Sequence, residues 1–153
     1  MAISTNDCRD SKHETTPSPQ EHVEEYLEVL TIAEELGETS PRVSWISDRI
    51  GVAQPSTVQM LKKLARLGYV TYKPRVGVAL LEKGRGVGKR IMRNHRIMEA
   101  YVKNTVGSDL DEKVGCAIEH TMTEEFTNSI CTWMKHPRTC PHGYPIPKGK
   151  CCP

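Results

Sequence analysis

The chain has 153 residues, 37% of them hydrophobic and 26% charged, with one Phe and six Cys. That length suits one domain or two small ones, built on a modest core of Leu, Ile, Val and Met that oligomerisation would reinforce. No apolar run is long enough to span a bilayer, and the polar start "MAISTNDCRDSKHETTPSPQ" lacks the apolar centre of an export signal.

These features predict a cytoplasmic protein without membrane association. In such a setting six cysteines read as metal ligands, redox thiols or buried small hydrophobes rather than as a disulfide framework. The formal net charge of +2 conceals segregation. From Arg42 to Arg93, twelve Lys or Arg stand against Asp48 and Glu82 alone, a balance of +10 that leaves −8 for the rest. A basic middle between acidic ends is the layout of a nucleic-acid binder with a separate control or assembly region.

Residues 1–20 carry Ser, Thr, Pro and charge without periodicity and read as disordered. "QEHVEEYLEVLTIAEELG" reads as a helix, with Val23, Tyr26, Leu27 and Leu30 at helical spacing and Gly37 as its stop. A short helix follows in "RVSWISDRIGV", with Ser44 as its expected cap and a turn at Gly51. "QPSTVQMLKKLARLGYV" gives the next, with Pro55 in its first turn and Val58, Leu61 and Leu64 or Ala65 as the buried stripe. Two short helices about a glycine turn make a helix-turn-helix. "YVTYKPRVGVALL" then reads as a basic hairpin, which completes a winged helix. The second helix would enter the major groove of double-stranded DNA and the hairpin would lie on the backbone.

A long helix is predicted from Glu82 to Val106, with Val87, Ile91, His95, Met98 and Val102 on one face. "GRGVGK" matches neither the dinucleotide nor the nucleoside-triphosphate loop in spacing. Further helices are expected over Asp109–His120 and, after a Thr cap, in "TEEFTNSICTWMKH", where Phe126, Ile130, Trp133 and Met134 form an apolar stripe suited to packing and dimerisation.

Metal chemistry is suggested by His95 and Glu99, four apart on one helix, and by Cys116, Glu119 and His120 at i, i+3 and i+4. Imidazoles, carboxylates and a thiol together suit a first-row transition ion rather than Ca or Mg. Cys140, His142, Cys151 and Cys152 near the C-terminus are a possible extra site, with Zn as the candidate ion, although adjacent cysteines are uncommon in one.

With "EEYLEVL", "RVSWISDRIGVAQPSTVQMLKKLARLGYVTYKPRVGVALLEKGR", "RNHRIMEAYV", "CAIEHTMTEE" and "CPHGYPIP", the chain resembles the diphtheria-toxin-repressor and manganese-transport-regulator family over residues 21 to 147. The resemblance implies a mainly α fold: a winged helix over 21–81, a helical metal-binding and dimerisation domain over 82–139, and a Pro- and Cys-rich tail over 140–153. It implies a short form, ending before the small C-terminal β-barrel that some members add. Cys116, Glu119 and His120 match the family's primary metal site, together with Glu25 and Glu28 from the first helix. His95 and Glu99 match its second site, with Glu112 at the remaining position, where iron-type members carry His.

A cysteine as in iron-type members beside first-helix carboxylates as in manganese-type members favours Fe(II) over Mn(II). Ala53, Pro55, Ser56 and Gln59 match the family's base-reading positions, and Lys62, Lys63, Lys73 and Arg75 would grip phosphates. The function implied is a homodimeric repressor of iron or manganese uptake genes. It would bind a palindromic operator when the ion joins the first helix to the dimerisation domain. A zinc or redox sensor acting through the C-terminal cysteines is the alternative. A metallohydrolase would need an open coordination position and a substrate cleft, and nothing in the sequence suggests the cleft. No enzyme activity is therefore expected.

Overall fold

The structure is a computed structural model and describes residues 18–153. It divides into two compact units, one ending at Lys89 and the other running from Arg90 to Pro153. Most of the N-terminal stretch expected to be disordered lies outside the described residues. Its last residues are helical: α1 spans Pro19–Glu35. Ser18 caps it, accepting from the Glu21 N–H at 3.2 Å while its own N–H donates to Glu21 Oε2 at 2.7 Å. This reciprocal box satisfies two donors that a helix start otherwise leaves open.

The helix-turn-helix comprises α2, Val43–Ile50, and α3, Gln54–Arg66. Gly51 ends α2 with φ 74°, a left-handed conformation that glycine adopts without a Cβ penalty. Ser44 is not the cap of α2. Arg42 holds that position without a side-chain hydrogen bond, and the Ser44 carbonyl instead accepts from Ser47 Oγ at 3.0 Å. In α3 the buried stripe is Thr57, Leu61 and Leu64, and Val58 is half-buried. Thr57 can be buried because its hydroxyl donates to the Ala53 carbonyl at 3.4 Å.

Strands β1, Val70–Lys73, and β2, Gly77–Leu80, pair antiparallel with Val70 opposite Leu80 and Lys73 opposite Gly77. Arg75 sits at the turn between them with φ 65°. Val78 N–H donates to the Pro41 carbonyl at 3.2 Å, fixing the hairpin to the loop before α2. The first core joins Val23, Tyr26, Leu27 and Leu30 of α1 to Ile46, Ile50, Leu61, Leu64, Val70, Val78 and Leu80.

Helix α4, Glu82–Val106, runs from the first unit into the second. In its first turns Gly84 lies against the Tyr69 carbonyl, and Gly88 lies against Thr31 Oγ1 and the Leu27 carbonyl. A Cβ at either would overlap these atoms. The Gly-rich run is thus a packing device. Arg85 adds a two-pronged pair with Glu34, at 2.6 and 3.0 Å.

The second unit adds α5, Glu112–Glu119, capped by Asp111, and α6, Glu124–Trp133, capped by Thr123. Helix α5 starts three residues later than expected because Asp111 is its cap: one Oδ accepts from the N–H groups of Lys113 and Val114. The stripe expected on α6 is displaced. Thr127 and Cys131 are its buried positions, whereas Phe126 is 52% and Trp133 66% exposed. The second core is small: Ile97, Ala100, Cys131, Cys140 and Ile146 are its buried members. Beyond α6 the chain is irregular, held by a bridge between Thr139 and Pro145 and by Arg96 Nη1, which donates to the Pro145 carbonyl at 2.6 Å. No helix among the described residues is long and apolar enough to cross a membrane.

Candidate functional site

The first unit carries a candidate nucleic-acid interface. Ala53, the N-cap of α3, and Pro55, Ser56 and Gln59 in its first two turns are all exposed, whereas Leu61 and Leu64 are buried. Lys62 is exposed further along the helix and Lys63 is half-buried. Lys73 and Arg75 are exposed around the hairpin tip. A short helix with a polar N-terminal face, flanked by basic side chains and a basic hairpin, can read base edges and grip phosphates together.

The second unit gathers metal-ligating side chains. His95 and Glu99 occupy successive turns of α4, and Glu119 and His120 close α5. The His95 ring lies between two carboxylates, with Nδ1 2.6 Å from Glu119 Oε2 and Nε2 3.2 Å from Glu99 Oε1. His120 Nε2 lies 3.5 Å from Glu119 Oε1. Cys116, Glu119 and His120 each offer an atom, and these lie within 4.8 Å of one another. Glu119 is 2% exposed, and burying a carboxylate is costly without charge or hydrogen-bond partners.

Its backbone is fixed by Asn94, whose Nδ2 donates to the carbonyls of Glu119 at 2.9 Å and Met122 at 3.3 Å. Asn94 Oδ1 accepts from the Thr127 hydroxyl at 2.7 Å, so one buried amide ties α4, α5 and α6 together. The donor types, a cysteine sulfur, a buried carboxylate and imidazoles, suit a first-row transition ion; in this structure the Cys116 sulfur is engaged in a disulfide, so it becomes a thiolate ligand on reduction.

A second group adjoins the first through Glu99. Its Oε1 also lies 3.0 Å from His142 Nδ1, and Glu99, Cys140 and His142 form a triad within 4.8 Å. Burial pushes the Glu99 carboxyl up. The hydrogen bond and charge of His95, the charge of His142 and the Cys140 hydrogen bond outweigh it, leaving the group below the usual carboxylate range. Glu112 is exposed in the first turn of α5 and joins none of the ligand groups among the described residues. Glu25 and Glu28 lie three residues apart on α1, in the first unit.

The four C-terminal residues expected as one extra site fall into two groups. Cys140 and His142 join Glu99, whereas Cys151 and Cys152 join Cys131 and His136. The sequence reading names neither Cys131 nor His136. His136 follows Cys131 by five residues, a spacing that on a continuous helix points the two apart. The helix ends first, and Lys135 and His136 take φ values of 59° and 58° that turn the imidazole back. Burial pushes the Cys131 thiol up to about 12, and the neighbouring sulfurs add to this. Burial also raises Cys152, but hydrogen bonds from the Gly149 backbone and from Cys131, Cys151 and His136 bring it down to about 7.

Comparison with known proteins agrees with this division. The model of the iron dependent repressor N-terminal DNA binding domain matches residues 20–78, and that of the iron dependent repressor metal binding and dimerisation domain matches residues 81–148. The HTH-type transcriptional regulator MntR of Bacillus subtilis is 32% identical over 116 residues, which are 76% of this chain and 77% of that protein. The iron-dependent repressor IdeR of Mycobacterium tuberculosis is 30% identical over 126 residues, 81% of this chain but 54% of that protein, so the chain spans about half of its length. A solved manganese-dependent transcriptional repressor in complex with manganese superposes with a TM-score of 0.75 at 28% identity, covering 83% of this chain and 59% of that one. The chain belongs to the diphtheria-toxin-repressor and manganese-transport-regulator family of metal-dependent transcriptional repressors.

Proposed function

We propose that this protein is a homodimeric repressor of metal-uptake genes whose affinity for a palindromic operator rises when Fe(II), or less effectively Mn(II), is bound. The observation that carries this reading is the convergence of His95, Glu99, Cys116, Glu119 and His120 in one unit of a chain whose other unit is a basic winged helix. The sulfur ligand supports Fe(II) over Mn(II), because thiolate favours the softer ion. Glu25 and Glu28, by their place on α1, are the ligands that link metal occupancy to the DNA-binding unit. Cys140 and His142, beside Glu99, take the part of Glu112 in the second site.

A divalent ion supplies the positive charge that lets these carboxylates lie together. The protein's own groups do the rest. Asn94 holds the end of α5 so that the Glu119 carboxylate and the His120 ring face the same point. The two carboxylates beside His95 fix the orientation of its ring, as partners of metal-ligating histidines commonly do. Phe126 and Trp133, exposed on α6, together with Val106 and Val114, give the second unit an apolar surface suited to dimerisation. A two-fold dimer would set its recognition helices about 34–36 Å apart, one turn of DNA. A differential metal affinity worth a few kcal/mol between the two states suffices for a switch.

The test is fluorescence-anisotropy titration of full-length protein against duplexes from the upstream region of its own and neighbouring transcription units. It is run without oxygen, at fixed salt, with Fe(II), Mn(II) or a chelator. The expected result is tight binding with Fe(II), weaker binding with Mn(II), and binding at the non-specific level in chelator. Equal affinity in all three conditions sinks the proposal.

A further inference from the structure

We propose that Cys131, His136, Cys151 and Cys152 form a separate structural Zn(II) site that fastens the C-terminal segment to α6. A tetrahedral zinc ion with bonds of about 2.3 Å to sulfur and about 2.0–2.1 Å to nitrogen holds its ligands about 3.8 Å apart sulfur to sulfur and about 3.6 Å apart sulfur to nitrogen. Here Cys131 Sγ is 3.8 Å from Cys152 Sγ, Cys151 Sγ is 3.9 Å from Cys152 Sγ, and Cys131 Sγ is 3.6 Å from His136 Nδ1. All four ligand atoms lie within 4.8 Å of one another. The sulfurs are far beyond the ~2.05 Å of a disulfide. The three separations match edges of a coordination tetrahedron.

Charge gives a second, independent argument. Three thiolates, a neutral imidazole and Zn(II) carry a net charge of −1, which a half-buried site is stabilised by offsetting. Arg93 offsets it. It is 6% exposed, and among the described residues the one hydrogen bond from its side chain goes to Cys151 Sγ, at 3.2 Å. Its Nε is buried without a partner. A buried guanidinium needs an anion beside it, and a neutral Cys151 thiol does not provide one. Gly149 lies against the guanidinium, where any Cβ would overlap it, so the last turn of the chain is shaped around this charge.

The site also answers a structural need. The second core has five buried members, and beyond α6 the backbone has neither helix nor named strand to hold it. Small units with thin cores are commonly held by a metal. Zinc at this position displaces three thiol protons to the buffer, involves no change of oxidation state and joins α6, the turn after it and residues 151–152 at one point. It is independent of the ion held around Glu119.

The test uses full-length protein purified without oxygen from zinc-replete cells. Zinc-edge X-ray absorption on the unaltered chain should report three sulfurs and one nitrogen. Cobalt(II) added to the metal-free protein should give tetrahedral ligand-field bands with strong thiolate charge transfer. Cys152→Ser, outside any helix, should lose about a third of the charge transfer that this site contributes. Lys148 and Lys150 are already exposed, and chelation, by freeing the backbone around them, should speed tryptic cleavage there. A zinc shell with one sulfur or none, or cobalt spectra identical in the unaltered protein and Cys152→Ser, overturns the proposal. So does cleavage at these lysines that is indifferent to zinc.

Discussion

Asn94 shows how a single residue would govern the proposed metal centre without offering a ligand. Its amide is 1% exposed, and it both donates to the carbonyls of Glu119 and Met122 and accepts from Thr127. Asn94→Ala leaves two carbonyls and a hydroxyl buried without this partner. Each unsatisfied group costs roughly 1–3 kcal/mol, reduced where the neighbours relax. We predict a loss of about 2–4 kcal/mol in denaturant-induced unfolding of the metal-free protein. Loss of a group that supports ligands typically lowers metal affinity about 10- to 100-fold, and isothermal titration with Mn(II) would read this directly. An unchanged unfolding midpoint would mean that the knot is not structural. Asn94 could not be singled out in "RNHRIME", because its importance lies in carbonyls twenty-five and twenty-eight residues away.

Within elements, the glycines of α4 separate intrinsic preference from packing. Helical glycine costs roughly 1 kcal/mol relative to alanine, so three in the first two turns look unfavourable from sequence alone. Gly86 has nothing near its missing Cβ, whereas Gly88 meets Thr31 Oγ1 and the Leu27 carbonyl. Gly86→Ala is therefore predicted to stabilise by about 0.5–1 kcal/mol. Gly88→Ala is predicted to destabilise by about 1–3 kcal/mol, through overlap that backbone atoms cannot relieve. Thermal unfolding of the two variants side by side should show opposite shifts, and shifts of the same sign would contradict the packing account.

The order of elements was legible in the sequence, because each helix and the hairpin carry their own periodicity and turn residues. The phase of α6 was not. Phe126 and Trp133 are apolar, but Thr127 and Cys131 take the inside, where Thr127 bonds to Asn94 and Cys131 lies against Cys152. Apolar character alone does not say which face a neighbour will cover. For the same reason the pairing of His136 with Cys131 was invisible: it depends on a left-handed turn at two non-glycine residues.

For the whole molecule, the segregated charge makes DNA binding divisible into two experimentally separate parts. The basic stretch carries +10 between Arg42 and Arg93, and phosphate contacts from such a surface release counterions, so affinity falls steeply with salt. Lys62 and Gln59 are both exposed on α3, and the proposed function gives them different parts in the interaction. Lys62→Ala should weaken binding to operator and to unrelated duplex alike, and should lower the slope of log affinity against log salt by about 1. Gln59→Ala should leave that slope unchanged, lose about 1–3 kcal/mol on the operator, and relax the preference at the base pair it reads. Both are measured with metal-loaded protein on operator and scrambled duplexes over a series of salt concentrations. If Lys62→Ala discriminated between the duplexes and Gln59→Ala did not, the recognition helix would have to lie in the groove with a different face towards the bases. The assignment of Ala53, Pro55, Ser56 and Gln59 as the reading edge would then fall.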